Sequence, residues 1–181
     1  MMKRIITLLA GLMLSAGMQA QTLPPADSTT KKITYTEVVT VTGSTKDVLY
    51  KRAKNLNISA TGVISDKPAD GYYCYKGQFK VTYHAPQPGL MHTGNVSYTV
   101  TIACKDGRYK YIITDFIHTS DKGNGGALEK SIPECNKYVL TLQGWADIKR
   151  QTATEMEKLA SNIKSGMANP SDKPVGDGKD W

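Results

Sequence analysis

The chain has 181 residues, 40% of them hydrophobic, and its 23 Lys and Arg against 16 Asp and Glu give a net charge of +7. This length is enough for one domain with a sizeable core. The basic residues are scattered among acidic ones, which argues against a concentrated nucleic-acid surface and favours an ordinary solvated one.

The N-terminus has the layout of a secretory signal peptide. Lys3 and Arg4 precede an apolar run over residues 5–18, and the small residue Ala20 follows. The run is too short to span a bilayer, which takes about 20 residues. We therefore expect cleavage before Gln21 and a soluble, exported chain, periplasmic or extracellular, with no membrane span.

Polar segments flank the part that is expected to fold. The sequence predicts a signal peptide at residues 1–20, a linker at residues 21–30 and a disordered tail at residues 168–181, which is rich in Pro, Gly and charge. Residues 31–167 are left as a single domain.

This domain opens with a strand followed by a helix. Residues 33–42 alternate and are rich in β-branched side chains, which predicts a half-buried strand. Ser44, with Asp47 three residues later, predicts the start of a helix of about four turns. A short strand is expected at residues 62–65. The apolar stripe of the helix is Leu49, Ala53, Leu56 and Ala60.

Three strands with a period of two come next. They are predicted at residues 72–84, 96–104 and 108–117, and the Asp106-Gly107 turn joins the last two into a hairpin. In the third strand, alternation places Ile113, Asp115 and Ile117 inward. The outward positions of that strand are Lys110, Ile112, Thr114 and Phe116.

The terminal segment predicts one long amphipathic helix lying across the sheet. Its apolar positions recur every three or four residues: Trp145, Ile148, Thr152, Met156, Leu159, Ile163 and Met167. The order β-α-β4-α predicts an α+β fold whose sheet is largely antiparallel, with the helices packed on one face.

The chain resembles a known family at this point. The order of elements, the opening ITYTEVVTVTGSTKDVLYKRA, the hairpin strand KDGRYKYIITDF and the Trp-led helix are similar to a domain of unknown function with a TATA-binding-protein-like fold, found in exported proteins of Bacteroides-type bacteria. The resemblance covers residues 31–167. It implies half of a TATA-binding-protein-like fold and an exported bacterial setting, but no activity and no functional residues.

Tyrosines dominate the predicted inner face of the sheet. Seven of the ten lie there, where Phe would be the simpler filler, and a buried hydroxyl without a partner costs about 1–3 kcal/mol. Either the hydroxyls reach sheet edges or helix groups such as Thr152, or the sheet and helix part to hold a small amphipathic ligand. The inner-face tyrosines are Tyr35, Tyr73, Tyr75, Tyr83, Tyr98, Tyr109 and Tyr111. The candidate ligand-binding residues are Tyr35, Tyr73, Tyr83, Tyr98, Tyr109, Tyr111 and Asp115.

Two further patterns resemble those of functional sites. Arg108 to Tyr111 alternate basic with aromatic residues, as RNA-reading strands do, but alternation turns both tyrosines toward the covered face, so no nucleic-acid partner is expected. Glu37 and Asp115 fall on the inner face, where facing carboxylates can share a proton. A rim position is the commoner outcome for such acids, so no catalytic residues are predicted.

Cysteines and histidines give weak signals. Cys74, Cys104 and Cys135 leave one thiol over in an exported chain, and a Cys104–Cys135 disulfide is slightly favoured because alternation places Cys74 and Cys104 on opposite faces. No Cys stands with His at ligand spacing, so neither a metal nor another cofactor is predicted. The histidines at 84, 92 and 118 are expected to be solvated near strand ends.

The sequence as a whole predicts a non-catalytic, exported binding or envelope-accessory domain, and no enzyme. The alternative is a carrier of a small amphipathic ligand held between the Tyr-rich sheet face and the C-terminal helix, and a small periplasmic enzyme comes third. The partner is left open among an envelope protein, a glycan and a small ligand.

Overall fold

The computed structural model describes residues 25–56 and 60–168, and the predicted signal peptide and residues 169–181 of the predicted tail lie outside them. Within the described residues, six strands join into one sheet of order β1-β5-β4-β3-β2, with β6 beside β5. Every pairing is antiparallel. The elements are β1 (Tyr35–Thr40), α1 (Lys46–Asn55), β2 (Ala60–Lys67), β3 (Tyr72–His84), β4 (Met91–Lys105), β5 (Arg108–Thr119), β6 (Gly126–Ala127) and α2 (Leu142–Ala168).

The predicted α+β class and element order are therefore confirmed, with β6 as an addition. Both helices pack on one face of the sheet, where one hydrophobic cluster joins them to the strands. Neither helix covers the other face within residues 25–56 and 60–168, and we call it the uncovered face. Among the described residues no helix is long and apolar enough to cross a membrane.

The first helix differs from the prediction in its start and its length. Its N-cap is Thr45, whose hydroxyl accepts a hydrogen bond from Val48 N–H at 3.4 Å. Ser44 instead accepts a hydrogen bond from Arg52 at 3.3 Å. Because helix α1 ends at Asn55 and β2 begins at Ala60, the predicted stripe overran the helix by more than one turn.

The segment before β1 is more ordered than a linker. Asp27 accepts hydrogen bonds from the backbone N–H groups of Thr29 and Thr30, at 3.0 and 2.7 Å, which is a turn held by an acidic side chain. Ala26 forms a bridge with Ile33. Residues 25–30 of the predicted linker thus include a turn and one bridge position, whereas residues 21–24 lie outside the described part.

Strand β5 contains a bulge that the sequence pattern did not reveal. Its register against β4 shifts between Ser97 and Thr99, and Asp115 has a φ of 59°, in the left-handed region. The extra residue reverses the alternation beyond it. Phe116 is therefore fully buried, whereas Ile117 is 44% exposed, which is the opposite of the prediction for both.

Candidate binding site

The predicted tyrosine face is largely buried under the helices. Tyr73, Tyr75, Tyr83, Tyr98, Tyr109 and Tyr111 are buried members of the core cluster, and the half-buried Tyr35 packs against it. Tyr109 and Tyr111 lie on the covered face, as the argument against an RNA-reading strand requires. Whether any of these residues contacts a ligand stays a prediction.

The hydroxyl groups of these tyrosines have different surroundings. Tyr111 donates to Glu37 at 3.0 Å, and Tyr83 donates to Ser120 at 2.9 Å. The hydroxyls of Tyr35, Tyr75 and Tyr109 are buried with no hydrogen-bond partner among the described residues. Burial raises the pKa of Tyr109 to about 12, so the phenol is neutral. Thr152, the helix residue predicted as a partner for these hydroxyls, instead donates its hydroxyl proton to the Ile148 carbonyl at 2.8 Å.

The two candidate acids lie in separate ion pairs. Asp115 is turned to the surface by the bulge and pairs with Lys32 at 2.5 Å. Glu37 lies 3.1 Å from the Lys164 amine of α2, and that contact and the Tyr111 hydroxyl hold its pKa below the usual range. The expectation that Asp115 shares the inner face with Ile113 is wrong, and the two carboxylates are not a proton-sharing pair.

The predicted disulfide is absent, since Cys74, Cys104 and Cys135 are all free thiols. Cys104 lies opposite Tyr109 at the hairpin end of β5. The backbone N–H of Cys135 donates a hydrogen bond to the Asn124 carbonyl, beyond the other end of β5. About ten extended residues separate the two places, roughly 30 Å, and a disulfide needs Cα atoms within about 7 Å. Burial raises the pKa of the Cys104 thiol to about 11.

The histidines gather at one end of the sheet, which the sequence analysis missed. Tyr83 lies edge-on to His92 and to His118, with ring centroids 5.9 and 5.3 Å away, and Trp145 of α2 stands 6.1 Å from His118. His84 Nδ1 is 2.5 Å from the carboxylate of Asp147. Only His84 is exposed, so the prediction of solvated histidines fails for His118, which is fully buried.

His118 is a neutral ring held in one tautomer. Its Nδ1 accepts a hydrogen bond from Gly125 N–H at 3.1 Å, so the ring proton lies on Nε2, which has no acceptor among the described residues. Burial lowers the pKa of His118 to about 4. Gly94 covers this nitrogen, because a Cβ at Gly94 would come within 2.4 Å of it.

The Asp147 carboxylate fixes helix α2 to the end of β3. It accepts from His84 Nδ1 and from Arg150, both at 2.5 Å. Burial raises its pKa, but the hydrogen bonds from His84 and Arg150 outweigh that effect and leave the pKa lowered. Both oxygens of this carboxylate therefore accept hydrogen bonds that hold α2 in place.

A polar pocket opens above Gly94 on the uncovered face. Its volume is about 450 Å³, and it forms where β5 stops pairing with β4 at Asn95 and Thr119. That volume is within the range of about 300–1,000 Å³ that is usual for small-molecule sites. We call it the rim pocket. Its lining residues are Lys80, Thr93, Gly94, Asn95, Thr119, Ser120, Asp121 and Asn124.

The wall of the rim pocket is held by its own hydrogen bonds. Ser120 donates its hydroxyl proton to the Thr93 carbonyl at 3.0 Å and accepts from Tyr83. The side-chain oxygen of Asn124 accepts from Ser120 N–H at 3.1 Å. These bonds tie the loop after β5 to β3 and β4, so the lining groups are placed before a ligand arrives.

A second pocket of about 270 Å³ lies on the same face beside the β4–β5 turn. Three cationic side chains, Lys105, Arg108 and Lys110, contribute to its lining, with Val38, Ala103 and Tyr109. We call it the basic pocket, because its lining carries three positive charges. Among the described residues, no three His, Cys, Asp or Glu side chains are grouped to hold a metal ion.

Comparison with known proteins shows which family this architecture is similar to. Residues 35–119 match the model of a domain of unknown function (DUF4468) with TBP-like fold. A crystal structure of a DUF4468 family protein from Bacteroides ovatus is 15% identical with a TM-score of 0.58, over 84% of this chain and 94% of that one. A TBP-like protein from Parabacteroides distasonis is 16% identical with a TM-score of 0.51, over 81% and 97%. No curated protein matches the chain.

Proposed function

We propose that this chain, which carries the DUF4468 domain over residues 35–119, is an exported, non-catalytic binding domain of the bacterial envelope. The observation that carries the proposal is the rim pocket, a preformed polar concavity on the face of the sheet that the helices leave open. Export is supported by the basic start and the short apolar run of the N-terminus.

The chemistry of the rim pocket favours binding over catalysis. Its only serine, Ser120, directs its hydroxyl proton to the Thr93 carbonyl and not to a base. His118, two residues before Ser120 in the chain, lies beneath the Gly94 backbone and on the other side of the sheet. A nucleophile needs a base within hydrogen-bond reach, and these residues do not supply that pair.

The proposal can be tested with a chain that begins at Gln21 and with water-soluble extracts of bacterial envelopes. Amide NMR spectra recorded with the extract should show saturable shifts for Thr93, Asn95 and Thr119. Mass spectrometry of the same extract, before and after incubation, should show no turnover. Shifts confined to other surfaces, or conversion of an extract component, would contradict the proposal.

A second candidate, the carrier of an amphipathic ligand, is favoured by one observation. Three phenol hydroxyls on the covered face, those of Tyr35, Tyr75 and Tyr109, lack hydrogen-bond partners among the described residues, and a ligand held under α2 would supply them. Native mass spectrometry of the wild type against Tyr109→Phe tests this. A co-purifying ligand that the variant loses supports the carrier, and a ligand-free wild type with unchanged stability in lipid extract removes it.

A further inference from the structure

We infer that the rim pocket selects a neutral, hydroxyl-rich ligand of the carbohydrate class. The inference rests on the proposed function, because it takes the rim pocket to be the place where the domain binds. It goes further in naming the chemistry of the occupant.

The lining groups mostly both donate and accept hydrogen bonds. Thr93 and Thr119 each present a hydroxyl, and Asn95 presents an amide. The side-chain oxygen of Asn124 accepts a hydrogen bond from Ser120 N–H, and its NH2 group is left as a donor. A ligand whose own groups also donate and accept, as sugar hydroxyls do, satisfies such a lining without leaving a donor facing a donor.

Charge in the rim pocket is balanced. Lys80 and Asp121 contribute one charge of each sign, and neither takes part in an ion pair among the described residues. An anion would meet the Asp121 carboxylate and a cation would meet the Lys80 amine, so both are disfavoured by like-charge contact. A neutral polar ligand meets neither penalty and can hydrogen-bond to both groups.

The basic pocket sharpens this contrast. With Lys105, Arg108 and Lys110 around it and apolar Val38 beside them, it is the place on the uncovered face that suits an anion. Two sites on one face thus differ in charge, and the rim pocket is the one without an excess of either sign. A small anion therefore serves as an internal comparison in any binding experiment.

The floor of the rim pocket is the Gly94 backbone, which lies close to His118 on the covered face because Gly94 has no side chain. A Cβ there would come within 2.4 Å of His118 Nε2 and 2.8 Å of the Thr119 carbonyl. The strand therefore lies flat against His118, and Thr93 and Asn95 stand on either side of a bare backbone floor. Together with the Ser120 bonds, this fixes the positions of the lining groups and lowers the ordering cost of binding.

The test uses the chain from Gln21 onward and amide NMR titrations with glucose, N-acetylglucosamine and cellobiose as neutral hydroxyl-rich probes. Inorganic phosphate and glycine serve as the anionic and zwitterionic probes. At least one neutral sugar should shift Thr93, Asn95 and Thr119 saturably. Phosphate should act on Lys105, Arg108 and Lys110 instead.

Variants of the lining residues test whether the rim pocket itself selects the sugar. Asn95→Asp and Thr119→Val keep the shape of the lining and should each weaken the bound sugar about tenfold, as the loss of one well-placed hydrogen bond would. Thr99→Val, on the same face but outside the rim pocket, is the matched control and should bind as the wild type does. Equal weakening by the control would overturn the inference.

The two proposals fail in different ways. If glycine or phosphate occupies the rim pocket more tightly than every sugar, the ligand class is wrong and the binding function stands. If neither the probes nor the envelope extract shifts a rim-pocket resonance, both proposals are wrong. Saturable sugar shifts that the Asn95 and Thr119 variants weaken would support both.

Discussion

Acidification from pH 7 to pH 5 should destabilise the domain through the buried imidazole of His118. The pKa of this ring is lowered from its ordinary value of 6.5 to about 4 by burial, so the unfolded chain takes up a proton before the folded one does. The stabilising effect of the neutral ring is complete above the unfolded pKa. It is lost progressively as the pH falls from 6.5 toward about 4.

The size of the effect follows from these two pKa values. At pH 5 the unfolded imidazole is almost fully protonated and the native one is almost neutral, whereas at pH 7 both are mainly neutral. The His118 contribution to the free energy of unfolding should therefore fall by about 2 kcal/mol between the two conditions. Protonation would also set a new N–H against Gly125 N–H, which now donates to Nδ1 at 3.1 Å.

Urea denaturation of the wild type and of His118→Gln at both pH values measures this contribution. The variant should be less stable at pH 7, but its stability should fall by about 2 kcal/mol less than that of the wild type on going to pH 5. NMR titration of the wild-type ring gives the pKa directly if the variant does not fold. Equal pH dependence in both proteins, or a ring that titrates near 6.5, would refute the reasoning.

Three further predictions concern the bulge, a buried hydroxyl and export. Asp115→Gly should leave the free energy of unfolding in urea unchanged or higher by up to about 1 kcal/mol, because Gly adopts positive φ freely and the lost Lys32 ion pair is exposed. Asp115→Val should lower that free energy by about 1–2 kcal/mol, and equal tolerance of both changes would contradict the backbone strain at Asp115. Tyr75→Phe removes a hydroxyl without a partner in the described part of the chain and should stabilise by about 1 kcal/mol in thermal unfolding, so a loss of stability would show that the hydroxyl is satisfied. Mass spectrometry of the native protein should find its N-terminus at Gln21, and a chain that retains Met1 would rule out signal-peptide cleavage.

The periodic parts of the fold could be predicted from sequence. Alternation placed the tyrosines of β3, β4 and the first half of β5 on the covered face because that rule depends only on the pleat. It failed at Asp115, since a bulge adds one residue without a glycine to mark it. The helix start was misplaced by one residue, because Ser44 and Thr45 are both good caps and the tertiary contact of Asp106 with Lys46 N–H decides between them.

The rim pocket could not be predicted in the same way. Its lining comes from three strands and a loop, and it exists because β5 leaves β4 after Thr119. The histidine cluster was missed for a related reason, since His84 and His118 are far apart in sequence and the strand pairings bring them to one end. A glycine inside a strand often marks a close approach of backbone to another group. Gly94 gave no such signal, because alternation predicted the strand only from residue 96, whereas β4 begins at Met91.

The bulge in β5 also bears on how relatives of this chain are aligned. In β5 the odd-numbered side chains before Asp115 point to the covered face, and the even-numbered side chains after it do so. The burial of Ile113 and of His118 shows this change. A relative without the bulge keeps one parity throughout. A gap-free alignment of the two would therefore match His118 with a side chain that faces water, so a single-residue gap at the bulge is what keeps interior positions matched with interior ones.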